Sequence, residues 1–184
     1  MTKILDSQVT RLELTHELPE NFQPREQYPK RGPLSIAEAL RPFVKDKVFC
    51  DLGCGAGDIL ELLVPYAEKV IGLERSGLRN ELARGRSFEL RTGNFFVEIP
   101  DADVYYNWSI RSHAVHLTEK LYGKKTLFIG GRRSAEHFSV LNEMVEDMKV
   151  FEFDYQEELA EGYHHYKESV PDPLFPNTWW IALI

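Results

Sequence analysis

The sequence predicts an α/β domain: a mainly parallel sheet of seven strands, helices on both faces, and an antiparallel last strand. Three observations predict it. Apolar runs of strand length alternate with segments of helical spacing from Ser35 to Met148. A glycine-rich turn, Gly53-Cys54-Gly55-Ala56-Gly57, directly follows one of those runs. The chain then finishes on two β-rich runs with no helical pattern between them, which reads as an antiparallel pair joined by a long excursion. At 184 residues the whole chain, 1–184, suits one domain with one full core.

The elements follow in order. Residues 1–33 carry Pro19, Pro24, Pro29 and Pro33 with many charges and little periodicity, and read as an arm with at most short helical or strand pieces. The core spans 34–184. Ser35-Ile36-Ala37-Glu38 fits a capping box, so a helix is expected from Ser35 to about Val44, with Pro42 near its end. Val48 to Asp51 is a short buried strand, and Asp58 to Tyr66 an apolar helix. Val70 to Glu74 is the second strand, Gly77 to Arg86 a polar helix, and Phe88 to Arg91 the third strand. Ala102 to Asn107 is the fourth strand. Ser109 to Leu121 has helical spacing through Ile110, Ala114, Leu117 and Leu121. Thr126 to Ile129 is the fifth strand, closed by Gly130-Gly131. A helix over Ser134 to Met148 turns Phe138, Leu141, Val145 and Met148 inward. Lys149 to Tyr155 and Thr178 to Ile184 are the last strands, with the excursion at 161–177 between them.

Composition narrows the function. Apolar residues at 43% against 28% charged describe a globular chain rather than a disordered one. A net charge of -7 opposes approach to DNA or RNA, which makes nucleic acid an unlikely partner. The two cysteines, Cys50 and Cys54, read as small buried thiols. They lack the companion ligands of a zinc site, and a bridge between a strand end and the next turn would be strained. No metal is expected. The N-terminal residues lack a signal-peptide core, and no run approaches the ~18 apolar residues of a membrane span. A cytoplasmic protein without a membrane anchor is the expectation.

The glycine turn carries the chemistry. In a sheet of this kind ligands bind beyond the carboxyl ends of the strands, where the strand order reverses. A dinucleotide fingerprint there reads G-x-G-x-x-G. This chain has G-x-G-x-G, with Asp58 where the third fingerprint glycine would fall. A carboxylate at the start of the following helix would repel a pyrophosphate. No Gly-Lys-Ser/Thr follows, so the turn is not a phosphate-cradling Walker loop. Glu74, at the end of the second strand, can accept both hydroxyls of a ribose. A ligand with a ribose, no phosphate and positive charge fits this set.

VFCDLGCGAGD followed by VIGLE resembles the first two motifs of the class I S-adenosyl-L-methionine-dependent methyltransferases, over about residues 34 to 155. The resemblance implies a Rossmann-like fold and S-adenosyl-L-methionine as cofactor. It implies that Asp51, Gly53, Cys54, Gly55 and Gly57 line the methionine portion and that Glu74 holds the ribose. Gly93-Asn94-Phe95-Phe96 stands where the family often has Gly-Asp beside the adenine. Asn94 replaces that acid with an amide that can still bond the base edge, and Phe95 can pack on the ring.

The methyl would point toward Asn107-Trp108-Ser109, at the end of the fourth strand. Amino-methylating relatives carry Asn/Asp-Pro-Pro-Tyr there. Only Asn107 matches, so a DNA-adenine or glutamine acceptor is disfavoured. Asn107 can orient a nucleophile, and Trp108 can wall the pocket. His113 and His116 are candidate bases close by, and His164-His165 lie in the excursion. Gln27-Tyr28-Pro29-Lys30, with the Gly93 and Asp101 segments, resembles the small archaeal and mitochondrial protein-lysine methyltransferases, which implies Tyr28 near the methyl. The expected acceptor is a protein lysine or amine, ahead of a small molecule. Two other readings stand: a non-catalytic partner that keeps the cofactor site, and a nicotinamide-dependent oxidoreductase.

Overall fold

The computed structural model describes residues 9–15, 17–19, 22, 25, 31–108, 111–132, 140–154 and 178–184. Its eight strands are β1 (Val9–Arg11), β2 (Val48–Leu52), β3 (Lys69–Glu74), β4 (Glu89–Thr92), β5 (Val104–Trp108), β6 (Thr126–Arg132), β7 (Lys149–Asp154) and β8 (Thr178–Leu183). The helices are α1 (Arg31–Val44), α2 (Asp58–Leu63), α3 (Gly77–Ala83) and α4 (Arg111–Leu121). One sheet holds all eight strands in the order β1-β7-β8-β6-β5-β2-β3-β4.

The central strands β2, β3 and β5 are almost wholly buried, as continuous apolar runs in a parallel sheet should be. Their side chains alternate between two cores. Phe49, Val70, Tyr106 and Phe128 meet Ala37, Leu40 and Val44 of α1 and Leu60 and Leu63 of α2. Cys50, Ile71, Tyr105 and Leu127 meet Ala114, Leu117 and Leu121 of α4 on the opposite face. The last strand, β8, is inserted between β7 and β6 and runs antiparallel to both, as the tail pattern predicts.

Four expectations need correction. The sheet has eight strands rather than seven: β1, inside the expected arm, pairs in parallel with β7, and Arg11 meets Glu152 at 3.1 Å. The arm is also partly packed, with Leu18 buried and Leu12, Leu14 and Phe22 against the α1 core. Helix α1 begins at Arg31, not at Ser35, because Pro33 in the first turn needs no intrahelical N–H bond. Glu38 therefore lies inside the helix rather than in its first turn, and its carboxylate accepts from the Thr15 hydroxyl at 2.7 Å. Strand β6 continues through Gly130-Gly131 to Arg132. Gly130 is there for packing, since a Cβ would stand 2.6 Å from the Tyr106 hydroxyl oxygen.

The helix expected over Ser134 to Met148 is reduced in its described part to a helical turn at 140–142, though Leu141, Val145 and Met148 are buried as expected. Phe138 lies outside the described residues, as do Tyr28, Ser109, His164, His165 and the excursion 161–177.

Candidate functional site

The strand order reverses between β2 and β5: from β2 the chain steps outward through β3 and β4, and from β5 it steps the other way to β6. Beyond such a reversal a crevice opens at the carboxyl ends. Asp51 near the end of β2 and Gly53 just after it, Glu74 ending β3, Asn94 and Phe95 after β4, and Asn107 in β5 all belong to this rim.

The glycine turn is held by backbone bonds. Gly53, Gly55 and Gly57 have φ of 88°, 57° and 76°, conformations that side chains rarely adopt. The N–H groups of Gly53 and Cys54 both donate to the Leu73 carbonyl, at 2.7 and 3.1 Å, which folds the turn over the end of β3. Gly57 has a second duty. A Cβ on it would overlap the Phe88 ring, so this glycine seats α2 against the strand that follows α3.

Glu74 closes the turn from the neighbouring strand. Its Oε2 accepts from Gly55 N–H at 2.9 Å, and its Oε1 accepts from Ser76 N–H at 2.7 Å. The residue is 6% exposed, and the nearest ion-pair contact is the half-exposed Arg79 at 4.0 Å. Asn80 latches the same corner, donating to the Glu74 carbonyl at 3.2 Å and to the Thr92 hydroxyl at 3.1 Å. Glu74 thus brings negative charge to the crevice while its oxygens hold the turn in shape.

Asp58 is oriented differently from the sequence expectation. It does not present charge to a ligand from the helix start. Its Oδ1 accepts from the fully buried Arg86 guanidinium at 2.6 Å and from Arg25 N–H at 2.9 Å. Glu61 also pairs with Arg86. Burial lowers the Arg86 pKa, and Asp58 opposes that shift. The Arg25 guanidinium reaches the Leu82 and Arg84 carbonyls at 2.8 and 3.1 Å. Sequence reasoning missed Arg25, Asn80 and Arg86, since nothing local to them signals a partner.

The cysteines are free and buried, and burial pushes both thiols up from their ordinary range. The Cys54 sulfur points into the core against Gly72, where a Cβ would stand 2.7 Å from it. The same thiol donates to the Gly55 carbonyl at 3.7 Å, so it braces the turn from the core side. Asp51 is buried at the end of β2. Asn107 is buried too, and its Nδ2 donates to the Leu52 carbonyl, which fixes the amide beside Gly53. A Cβ on Gly53 would lie 3.6 Å from that Nδ2 and 3.9 Å from Phe95. The bare face of Gly53 therefore looks onto Asn107 and Phe95.

On the β4 side, the Asn94 side-chain oxygen Oδ1 accepts from Phe96 N–H at 3.0 Å and shapes the turn. Phe95 stacks on Phe96 with centroids 4.9 Å apart. His113 of α4 meets Phe95 edge-on at 5.1 Å, and His116 lies 4.5 Å from Phe96. Burial, then Arg75 and His116, lower the His113 pKa. The Nδ1 of His113 is shielded from solvent and has no hydrogen-bond partner among the described residues. Trp108, next to Asn107, is partly exposed. A shallow groove of about 620 Å³ runs along Arg111, Ser112, Val115, His116 and Glu119. Among the described residues no group of three potential metal ligands converges, and no helix is long and apolar enough to cross a membrane.

No protein-family model matches the sequence, and no curated protein matches it. Solved structures do match the fold. One is the Pyrococcus abyssi tRNA (uracil-54, C5)-methyltransferase in complex with S-adenosyl-L-homocysteine, with a TM-score of 0.58 and 14% identity over 86% of this chain. This chain spans only 39% of that enzyme's length. A SAM-dependent methyltransferase from Archaeoglobus fulgidus has a TM-score of 0.57 and 18% identity, covering 83% of this chain and 94% of its own. The precorrin-6y C5,15-methyltransferase of Geobacter metallireducens has a TM-score of 0.55 and 14% identity, covering 89% and 93%. The fold is the Rossmann-like fold of the class I methyltransferases, with β1 as an added edge strand.

Proposed function

We propose that the chain is an S-adenosyl-L-methionine-dependent methyltransferase. The observation that carries this is the glycine turn, closed by Glu74 at the strand-order reversal of a methyltransferase fold. The residues fit the donor. The bare Gly53 face leaves room beside Asn107 and Phe95, and Glu74 offers charge to ribose hydroxyls without a phosphate-binding cation in the turn. Asp51 and the turn from Gly53 to Gly57 would hold the methionine end. Asn94 and Phe95 would flank the base. When bound, the donor supplies an electrophilic methyl on a sulfonium.

The protein's own part is mainly positioning. Near-attack geometry accounts for much of such catalysis. Asn107 would orient the acceptor, and its bond to the Leu52 carbonyl, which fixes the amide, supports that role. His113 stays largely neutral above its lowered pKa, so it adds little positive charge beside a sulfonium. Tyr28 is proposed to approach the methyl from the arm. That placement is supported by Arg25, three residues earlier, which is tied to Asp58 beside the turn.

For the acceptor we favour a protein lysine or amine, ahead of a small molecule. The support is Asn107 standing without the Pro-Pro-Tyr of the base and glutamine methylators. The fold serves tRNA and precorrin methyltransferases, so RNA belongs in the test despite the net charge of -7. Methyl-labelled donor offered with lysine-rich proteins, small amines and tRNA is expected to label an amine. Labelling of tRNA alone would overturn the acceptor reading. Tight product binding with no transfer to any class would favour a non-catalytic partner.

A further inference from the structure

The described residues of the arm run from the far edge of the sheet to the glycine turn. At the edge, β1 pairs with β7, and Leu12 N–H donates to the Glu152 carbonyl at 2.7 Å. Leu18 and Phe22 then pack into the α1 core, and Glu17 pairs with Arg41 of α1 at 2.8 Å. Arg25 follows, and it bonds with both its backbone and its side chain. Its N–H donates at 2.9 Å to Asp58, the first residue of α2 and the one directly after Gly57. Its guanidinium donates to the Leu82 and Arg84 carbonyls at the C-terminal end of α3. The last carbonyls of a helix lack intrahelical partners, and a cation there suits the helix dipole.

One exposed residue thus ties together the two helices that leave the candidate site. Helix α2 starts from the glycine turn, and α3 starts after Ser76, whose N–H holds Glu74 Oε1. Helix α3 needs such a tie. It has seven residues, of which only Asn80 and Ala83 are buried, while Leu78 and Leu82 are exposed. A short helix with so little buried surface depends on tertiary contacts for its place. Arg86 makes the parallel tie inside the fold, donating to the same Asp58 Oδ1 that Arg25 N–H meets. We propose that Arg25 is a positioning residue for the cofactor: by joining the start of α2 to the end of α3, it fixes the spacing between the glycine turn and Glu74. This assignment rests on the methyltransferase reading, in which the turn holds the methionine end and Glu74 the ribose. Arg25 acts through Asp58 and α3, so its loss should reach the ligand without removing a contact to it.

The test measures S-adenosylhomocysteine affinity in the wild-type chain, Arg25→Met, Arg25→Lys and Arg11→Met. Arg11 is the control: another exposed arginine of the arm, paired with Glu152 at the far edge of the sheet. Arg25→Met should weaken binding about fivefold or more. Arg25→Lys, which keeps a cationic donor, should recover part of that loss. Arg11→Met should stay within about twofold of the wild-type chain, as for an exposed ion pair remote from the site. Unchanged affinity in Arg25→Met, or equal losses at Arg25 and Arg11, would overturn the assignment. Hydrogen exchange in the wild-type chain tests it without any substitution. Coupling is reciprocal, so saturating ligand should slow exchange of Arg25 N–H about fivefold or more and leave Leu12 N–H, in the same arm, within about twofold. Equal effects on the two amides, or none, would also overturn it. A wild-type chain that does not bind the ligand would overturn the methyltransferase reading and this assignment with it, whereas the other contrary results overturn the assignment alone.

Discussion

Glu74 and Asp58 lie beside the same glycine turn, and both are buried, at 6% and 3% exposure. Their partners differ. Glu74 accepts from two backbone N–H groups and, among the described residues, its ion-pair contact is Arg79 at 4.0 Å. Asp58 accepts from a guanidinium that is itself fully buried, so its charge is cancelled inside the fold. One acid closes the glycine turn at the strand-order reversal and the other fastens α2 to the segment entering β4. An acid beside a glycine turn thus acquires its role from what surrounds it, and sequence position alone does not assign it.

The sharpest way to break that contrast is through stability. Asp58→Ala leaves the Arg86 charge buried with weaker pairing, and should cost about 3–5 kcal/mol in chemical denaturation. Glu74→Ala leaves two N–H groups at the rim, where water can reach the half-buried Ser76, and should cost less, about 1–3 kcal/mol. Equal losses would erase the distinction between a fastening acid and a turn-closing one.

A smaller effect is expected at Gly57. Alanine there combines a left-handed backbone with overlap on Phe88, and should destabilise by about 1–3 kcal/mol. Phe88→Leu should recover part of the loss in the double variant. Full additivity would show that backbone strain, not the ring, sets the need for glycine.

The smallest effect concerns pH. The folded state holds the His113 pKa below its usual value, first through burial and then through Arg75 and His116. The unfolded chain then binds more protons at mildly acid pH. The His113 contribution to stability is complete above about 6.5, the unfolded value, and is lost as pH falls toward the folded one. The melting temperature should drop between pH 7 and pH 5 less in His113→Phe than in the wild-type chain. Parallel profiles would place the acid sensitivity elsewhere.

Much of the fold is legible because buried parallel strands leave continuous apolar runs, as in Val48 to Leu52 and Val70 to Leu73. The glycine turn is legible because few other uses require three alternating glycines. Strand β1 is not, since Val9-Thr10-Arg11 is too short to carry a period and its partner β7 is remote in sequence. The start of α1 is obscured because Ser35 and Glu38 satisfy a capping pattern while Glu38 bonds Thr15 of the arm. Gly130 imitates a strand end, although its reason is the Tyr106 hydroxyl. Around the candidate site, the strand-end residues can be read from spacing, whereas Arg86, Arg25 and Asn80 act through contacts that only tertiary packing creates.

The most direct test of the account is calorimetric titration of S-adenosylhomocysteine into the wild-type chain and into Glu74→Ala. The account predicts saturable wild-type binding and a loss of about 10–100-fold in the variant, as expected when charge-assisted bonds to a ribose disappear. The variant should remain folded in the same buffer. Unchanged affinity in a folded Glu74→Ala chain, or no wild-type binding beside clear binding of a reduced nicotinamide dinucleotide, would contradict it.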